Sequence, residues 1–159
     1  MQRILFVCLG NICRSPAAEA VVSAKARMAG LDLTVDSAGT GNWHVGKPPY
    51  GPMIAAAAAR GYDLGGLRAR QFAPADFERF DLIVAMDRQN LSDIEARRPG
   101  DARTPVRLML FWLPGAGDDV PDPYFTRDFD GALDLIERAA DALVTALGPV
   151  RGRAVRGQG

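Results

Sequence analysis

The chain has 159 residues, 48% of them hydrophobic, and its 19 basic and 19 acidic side chains cancel. This length and apolar content predict one globular domain with a hydrophobic core. Because the net charge is near zero and the apolar runs are short, the composition argues against a nucleic-acid partner, a membrane surface and a membrane span. With one His and two Cys that lack zinc-site spacing, we expect no metal and no cofactor.

The first predicted element is a strand over residues 3–7, whose continuous apolar run is typical of a parallel strand covered on both faces. The run is short and meets Gly10, so it predicts a strand and not a signal peptide. A loop follows and ends at Ser15-Pro16, a helix-start signal with proline at the first helical position. We expect Ser15 to cap this helix and Gly30 to end it.

A strand, a tight loop and a helix N-terminus in this order predict an anion site, because loop N–H groups and the helix dipole face one point. Arg14 adds a planar fork of donors that fits phosphate, and Cys8 lies where the strand enters the loop. Positive charge beside a thiol favours its deprotonated form, the thiolate, which is the nucleophile. Cys-x5-Arg alone is a weak pattern, since a Cys after a buried strand is usually a packing residue. Its context favours a phosphate cradle with a nucleophile at its base.

A second strand is predicted over 31–36, and a loop rich in Gly and Pro follows. Its Gly39-x-Gly41 lacks the third glycine and the helix of a dinucleotide site, so that function is rejected. We then expect a helix from Pro52 to Gly61, a short helix over 73–80 and a buried strand over 81–86. Asp87 at the end of that strand has a functional alternative, but helix capping is the favoured interpretation.

The last third of the chain predicts a helix over 88–97, a fourth strand over 106–113 and a loop over 114–123. A helix with an apolar stripe then ends at Gly148-Pro149. Strands that alternate with helices predict an α/β fold: a single domain with a four-stranded, doubly wound parallel sheet and helices on both faces, in three α/β/α layers. The expected domain covers 1–148, and 149–159 are expected to form a flexible basic tail.

Three blocks of sequence resemble the low-molecular-weight protein tyrosine phosphatases: residues 8–16, residues 36–40 and Asp122-Pro123-Tyr124. The resemblance covers about 1–147 and implies hydrolysis of phosphotyrosine in proteins, with Cys8 forming a thiophosphate. It implies that Asp122 is the general acid and base, although an Asp-Pro in such a loop is more often only a turn. Ser15 would donate a hydrogen bond to the Cys8 thiolate. The implied phosphate-binding residues are Leu9, Gly10, Asn11, Ile12, Cys13 and Arg14.

The same resemblance implies an aromatic substrate rim of Trp43, Tyr124 and Phe125, for which loop packing is the alternative. Phe125 stands where some members have a second Tyr. Leu67 stands where the family often has a His that orients the loop Asn, which puts the hydrogen-bond support of Asn11 in doubt.

Cys13 either forms a reversible disulfide with Cys8 under oxidation or is a small buried thiol, and the sequence favours neither. Two cysteines in a chain of this size predict free thiols and a cytoplasmic location. A thioredoxin-coupled arsenate reductase is disfavoured, because such enzymes need further cysteines and none follows Cys13.

The alternative from another class is a phosphoprotein-binding module without catalysis, which the departure at Leu67 favours and the presence of Cys8, Arg14 and Asp122 disfavours. The expected partners are a phosphotyrosine-containing protein as substrate and inorganic phosphate or other oxyanions as inhibitors. We expect no nucleic acid and no membrane as partners.

Overall fold

The fold is built on one parallel sheet in the order β2-β1-β3-β4, in a computed structural model that describes residues 2–158 and the side chains of 2–148. The strands are β1 (Gln2–Cys8), β2 (Leu33–Gly39), β3 (Leu82–Ala85) and β4 (Val106–Leu108). In register, Cys8 lies beside Gly39, and Val7 lies beside Ala85. The chain places β2 on one side of β1 and β3 on the other. The carboxyl ends of β1 and β3 therefore form the switch point at which open α/β sheets bind ligands.

Helices cover both faces of the sheet and complete the predicted three-layer α/β/α fold. They are α1 (Arg14–Met28), α2 (Gly51–Ala58), α3 (Asp76–Arg79), α4 (Arg88–Glu95), α5 (Pro123–Thr126) and α6 (Phe129–Gln158), with a 3-10 helix over Met109–Trp112.

Strand β1 supplies both halves of the core, because successive side chains of a strand point to opposite faces. Ile4 and Phe6 are fully buried in the cluster that contains α1 and α6. Leu5 and Val7 are equally buried on the other face, in the cluster that contains Ile94 of α4. This two-sided burial is what the continuous apolar run predicts.

Helix α1 begins earlier than predicted, and the predicted cap by Ser15 is wrong. The helix starts at Arg14, Cys13 occupies the N-cap position, and no side chain caps the first turn. Ser15 lies within the first turn, where its hydroxyl contacts the Cys8 sulfur at 3.0 Å.

The region after β3 departs from prediction at two places. Strand β4 ends at Leu108, and a 3-10 turn follows in which both Met109 and Leu110 are buried. The second departure is α5, a single helical turn at Pro123–Thr126. It was not predicted because the Gly, Asp and Pro residues of the preceding segment are typical of a loop.

Helix α6 continues to Gln158, beyond its predicted end at Gly148-Pro149. Pro149 therefore lies inside the helix, where it lacks the N–H group of one i→i−4 hydrogen bond. The predicted flexible tail, 149–159, has side chains that lie outside the described residues, and it stays a prediction. Within the described part of the chain, no helix combines the length and the apolar content needed to cross a bilayer.

Candidate active site

Cys8 ends the central strand at the base of a cleft of about 250 Å³, and its side chain is only 3% exposed. Its sulfur lies 3.0 Å from Ser15 Oγ and accepts a hydrogen bond from the Asn11 N–H at 3.3 Å. Both partners belong to the loop and first turn that follow β1. The cleft is lined by Cys8, Leu9, Gly10, Ile12, Cys13, Trp43, His44, Asp122, Tyr124 and Phe125.

Asn11 determines the shape of the loop above the thiol. Its φ is 57°, a left-handed conformation that Asn tolerates better than most residues with a side chain. Its amide nitrogen donates to Ser15 Oγ at 2.8 Å and to Ser37 Oγ at 3.0 Å, and its amide oxygen accepts from the Arg70 N–H at 3.0 Å. The doubt raised by Leu67 is therefore resolved, because these three bonds hold Asn11 without a histidine.

A second set of side chains supports Asn11 from behind. Ser37 Oγ donates to Glu19 Oε1 at 2.7 Å, so hydrogen bonds run without a break from Glu19 through Ser37, Asn11 and Ser15 to Cys8. Burial raises the pKa of Glu19, and the hydrogen bond from Ser37 partly offsets this. Glu19 and Ser37 were not predicted as site residues from the sequence, although both lie within or beside the blocks that carry the resemblance.

Gly39 permits the close approach between the end of β2 and the loop. A Cβ at this position would lie 2.8 Å from the Leu9 carbonyl oxygen and 3.1 Å from the Asn11 nitrogen. Gly41 makes room in a similar way for the Trp43 ring, which a Cβ at position 41 would overlap. The two glycines of the rejected dinucleotide motif thus have a packing explanation.

Arg14 is 2% exposed and is held by two carboxylates. Its Nη1 donates to Asp87 Oδ2 at 2.7 Å and to the Val120 carbonyl at 2.9 Å, and its Nη2 donates to Asp122 Oδ2 at 3.3 Å. Burial opposes the charge of Arg14, but a Cys8 thiolate and the two carboxylates raise its pKa above the usual value. Arg14 Nε is buried and has no hydrogen-bond partner among the described residues.

Asp87 has both of the roles between which the sequence left a choice. Its Oδ1 accepts the Asn90 N–H at 2.7 Å and caps α4, while its Oδ2 binds Arg14. Of the two roles, the cap is the one that the sequence favours. The signal for the second role was the position of Asp87 at the carboxyl end of β3, next to the switch point.

Asp122 is placed at the cleft by the unpredicted helix α5. It is the N-cap residue, and its Oδ1 accepts the Tyr124 N–H at 3.1 Å. The other oxygen pairs with Arg14. The carboxylate is thus fixed by the helix on one side and by a buried guanidinium on the other, and it lines the same cleft as the thiol.

Trp43, Tyr124 and Phe125, the three residues of the expected rim, all line the cleft. Trp43 is 65% exposed and Phe125 is 70% exposed, so loop burial does not account for these rings. Tyr124 packs edge-on against Phe125, with 5.3 Å between ring centroids. The sequence analysis assigned no role to His44, which lines the cleft with its ring centroid 6.4 Å from that of Tyr124.

Cys13 shares the cleft with Cys8, and both thiols are free in the structure. Burial raises the pKa of Cys13 to about 12, and the negative charges of Cys8 and Asp122 add to the effect. The Cys13 thiol is therefore protonated at neutral pH. Whether it pairs with Cys8 under oxidation stays a prediction.

The comparisons with known proteins agree with this geometry. The family model described as "Low molecular weight phosphotyrosine protein phosphatase" matches residues 3–151. A protein from Synechocystis is 46% identical over 153 residues, which cover 92% of this chain and 97% of its own length. The low molecular weight protein-tyrosine-phosphatase of Streptomyces coelicolor is 44% identical, with coverage of 96% and 98%. The crystal structure of YfkJ from Bacillus subtilis is similar at a TM-score of 0.88 and 36% identity, with coverage of 92% and 94%.

Proposed function

The chain belongs to the low molecular weight phosphotyrosine protein phosphatase family, and from this premise we propose that Cys8, Arg14 and Asp122 carry its reaction. Members of this family are cysteine-dependent hydrolases of phosphotyrosine. The main support for assigning these three residues is the buried Arg14 guanidinium. It is held by two carboxylates at the thiol cleft and keeps one N–H, on Nε, without a partner among the described residues.

The phosphate would bind among the N–H groups of the loop. Several loop carbonyls are engaged by neighbouring segments: those of Cys8 and Leu9 accept from residues 40 and 41 at 2.9 Å, and that of Ile12 accepts from residue 50 at 2.8 Å. Because the N–H of a peptide unit points opposite to its carbonyl, this arrangement favours N–H groups that face the cleft. The phosphate-binding residues are Leu9, Gly10, Asn11, Ile12, Cys13 and Arg14, with the N-terminus of α1 adding its dipole.

In the first step, the Cys8 sulfur attacks phosphorus in line with the tyrosine oxygen. The S–P bond forms, the P–O bond breaks, and Asp122 gives its proton to the departing phenolate. In the second step, Asp122 takes a proton from water, whose oxygen attacks phosphorus. The S–P bond then breaks and inorganic phosphate leaves. Ser15 Oγ and the Asn11 N–H stabilise the thiolate before attack and when it departs.

The depth of the cleft favours an aryl phosphate. Cys8 lies at the base, and the exposed rings of Trp43 and Phe125 lie at the mouth. A phosphoserine side chain is too short to carry its phosphate past this rim to the sulfur, whereas a tyrosine ring spans the slot. We therefore propose phosphotyrosine-containing proteins as substrates, inorganic phosphate and vanadate as competitive inhibitors, and a cytoplasmic location that keeps both thiols reduced.

Steady-state hydrolysis of p-nitrophenyl phosphate with a chelator present tests the proposal, with wild type compared with Cys8→Ser over roughly pH 4 to 8. We expect turnover that resists the chelator, a bell-shaped pH profile and complete loss in Cys8→Ser. Phosphotyrosine and phosphoserine peptides of one sequence test the rim. If wild type binds vanadate but turns over no ester, the phosphoprotein-binding module replaces this assignment.

A further inference from the structure

Arg127, directly after α5, has an unusual backbone conformation. Its φ is 65° and its ψ is 9°, which lie in the left-handed region. Residues other than Gly, Asn and Asp rarely adopt this backbone conformation. Its N–H donates to the Pro123 carbonyl at 2.8 Å and closes the single turn of α5. Such a conformation persists only where surrounding contacts hold it.

The Arg127 guanidinium makes those contacts with two aromatic rings. It lies 5.2 Å from the centroid of Tyr50 and 5.2 Å from the centroid of Phe129, within the range of cation–π attraction. Its Nη1 also donates to the Tyr50 hydroxyl at 3.0 Å. The side chain thus binds one ring through its face and through its hydroxyl.

Tyr50 connects this clamp to the phosphate loop. Its N–H donates to the Ile12 carbonyl at 2.8 Å, and its ring packs against Tyr124 with 5.1 Å between centroids. Asp122 lies at the other end of the same helical turn as Arg127. Because α5 has only four residues, a movement of its C-cap residue, Arg127, moves its N-cap carboxylate as well.

We propose that Arg127 is a positioning residue for the general acid. Its clamp on Tyr50 fixes α5 against the phosphate loop and thereby sets the Asp122 carboxylate at the leaving-group oxygen. This inference rests on the proposed role of Asp122. Arg127 itself is exposed and is not assigned a contact with the reacting atoms.

The test is the dependence of kcat/KM on the leaving group for a series of aryl phosphates, since kcat/KM reports the step in which Asp122 gives its proton. Arg127→Gly relieves the backbone strain and removes the clamp. We expect kcat/KM on phenyl phosphate to fall about tenfold. Complete removal of a general acid costs about a hundredfold or more, and a misplaced one should cost only part of that. On 2,4-dinitrophenyl phosphate we expect less than about a twofold loss, because that leaving group needs no proton.

Three further variants sharpen the test. Arg127→Lys keeps a cation over the rings and should recover most of the rate on phenyl phosphate. Tyr50→Phe keeps the ring but removes the hydroxyl acceptor, so it should show a smaller loss in the same direction. Arg68→Gln is the matched control, since Arg68 is exposed and, among the described residues, its guanidinium bonds only the carbonyls of residues 65 and 67.

Asp122→Asn, measured in parallel, separates two kinds of failure. If Asp122→Asn steepens the leaving-group dependence but Arg127→Gly lowers kcat/KM equally across the series, Arg127 acts on substrate binding or on the fold, and the inference is overturned alone. If Asp122→Asn leaves the dependence unchanged, the general-acid assignment fails and this inference fails with it. Thermal unfolding of each variant shows whether the fold is kept.

Discussion

Asp87 binds Arg14 with one carboxylate oxygen and the amino end of α4 with the other, each at 2.7 Å. The two residues follow β3 and β1, the neighbouring strands at the switch point of the sheet. A single side chain therefore connects the orientation of the Arg14 guanidinium, the proposed phosphate ligand, to the start of a helix. This double use makes the two functions separable by substitution.

Replacing Asp87 by Ser or by Ala removes the contact with Arg14, but only Ser keeps a capping hydroxyl. We expect both variants to lose activity equally, by roughly ten- to a hundredfold in kcat/KM, because loosening a positioned guanidinium misplaces the phosphate. The Ala variant should also be less stable than the Ser variant by about 1 kcal/mol, the usual value of an N-cap. Denaturant unfolding and steady-state kinetics measure the two effects. If Asp87→Ser keeps wild-type activity, the contact with Arg14 does not matter for catalysis, and Asp87 serves only as the N-cap of α4.

Asn11 needs no histidine at position 67, because its side-chain donors and acceptor are already used. Leu67 is half-buried and packs against the core, so Leu67→His is expected to lower stability, but to change kcat/KM by less than about twofold because it alters none of the three bonds of Asn11. Asn11→Gly provides the contrast, since glycine also adopts the φ of 57° but makes none of the three bonds. It should lose at least about tenfold in kcat/KM, as one misplaced contact group can. A large increase of kcat/KM in Leu67→His would show that the three hydrogen bonds do not fully hold Asn11 in place.

Asp122→Asn keeps the N-cap of α5, because Asn caps as well as Asp does. The amide cannot supply or accept the catalytic proton, so we expect turnover of aryl phosphates to fall by about 10²- to 10⁴-fold. The covalent intermediate should still form on activated esters and hydrolyse slowly. Rapid quenching and mass measurement would detect the added phosphate on Cys8. Full turnover in this variant contradicts the assignment.

Cys13 should not react with alkylating agents at neutral pH. Its pKa, raised by burial to about 12, keeps the thiol protonated until the solution is strongly alkaline. We expect iodoacetamide at pH 7.5 to inactivate the enzyme with one label per chain, on Cys8, and oxyanions to protect it. In Cys8→Ser the native protein should remain unlabelled, whereas denaturation should expose Cys13 to the reagent.

Mild peroxide followed by thiol titration tests the remaining prediction for the two cysteines. No free thiols in the inactivated protein would support the reversible disulfide between Cys8 and Cys13. Two free thiols in that protein would count against it, and recovery of activity with a dithiol reductant completes the measurement.

Glu19 makes stability depend on pH in a defined direction. Its pKa in the folded state lies above the ordinary 4.5, so the folded state favours the neutral carboxyl. The stabilisation is complete below about pH 4.5 and is lost as pH rises through the folded-state pKa. Glu19→Gln keeps an oxygen that can accept from Ser37 and removes the ionisation. We expect it to be more stable than wild type at neutral pH and equal at pH 4.

Urea unfolding of the Glu19→Gln and wild-type proteins at both pH values measures this difference. The charged groups around Glu19 are Asp36, which raises its pKa, and Arg70, which lowers it. Asp36→Asn is therefore a useful second variant, because it should shift the pH window of wild type downwards. A pH-independent difference between Glu19→Gln and wild type would mean that the carboxylate does not titrate in this window.

Local patterns of sequence were sufficient for the fold class, and short blocks of resemblance indicated the proposed site residues. Continuous apolar runs predicted β1 and β3, since a parallel strand covered on both faces must be apolar throughout, and the alternation of apolar and polar residues predicted β2. The order of strand, loop and helix predicted an anion site with Cys8 and Arg14. The blocks at 8–16 and at residues 122–124 indicated the family. All of these signals lie within short segments, and so a linear reading detects them.

The partners of those residues were decided only by the tertiary structure. Ser15 was expected to cap its own helix, but the fold turns its hydroxyl to Cys8. Asp87 lies 73 residues from Arg14, and Arg127 lies 77 residues from the Tyr50 hydroxyl it binds. No periodicity or spacing encodes such contacts, because they depend on how strands from distant parts of the chain pair. The sequence by itself determined which groups are proposed to do the chemistry, and the packing of the sheet determined what holds them in place.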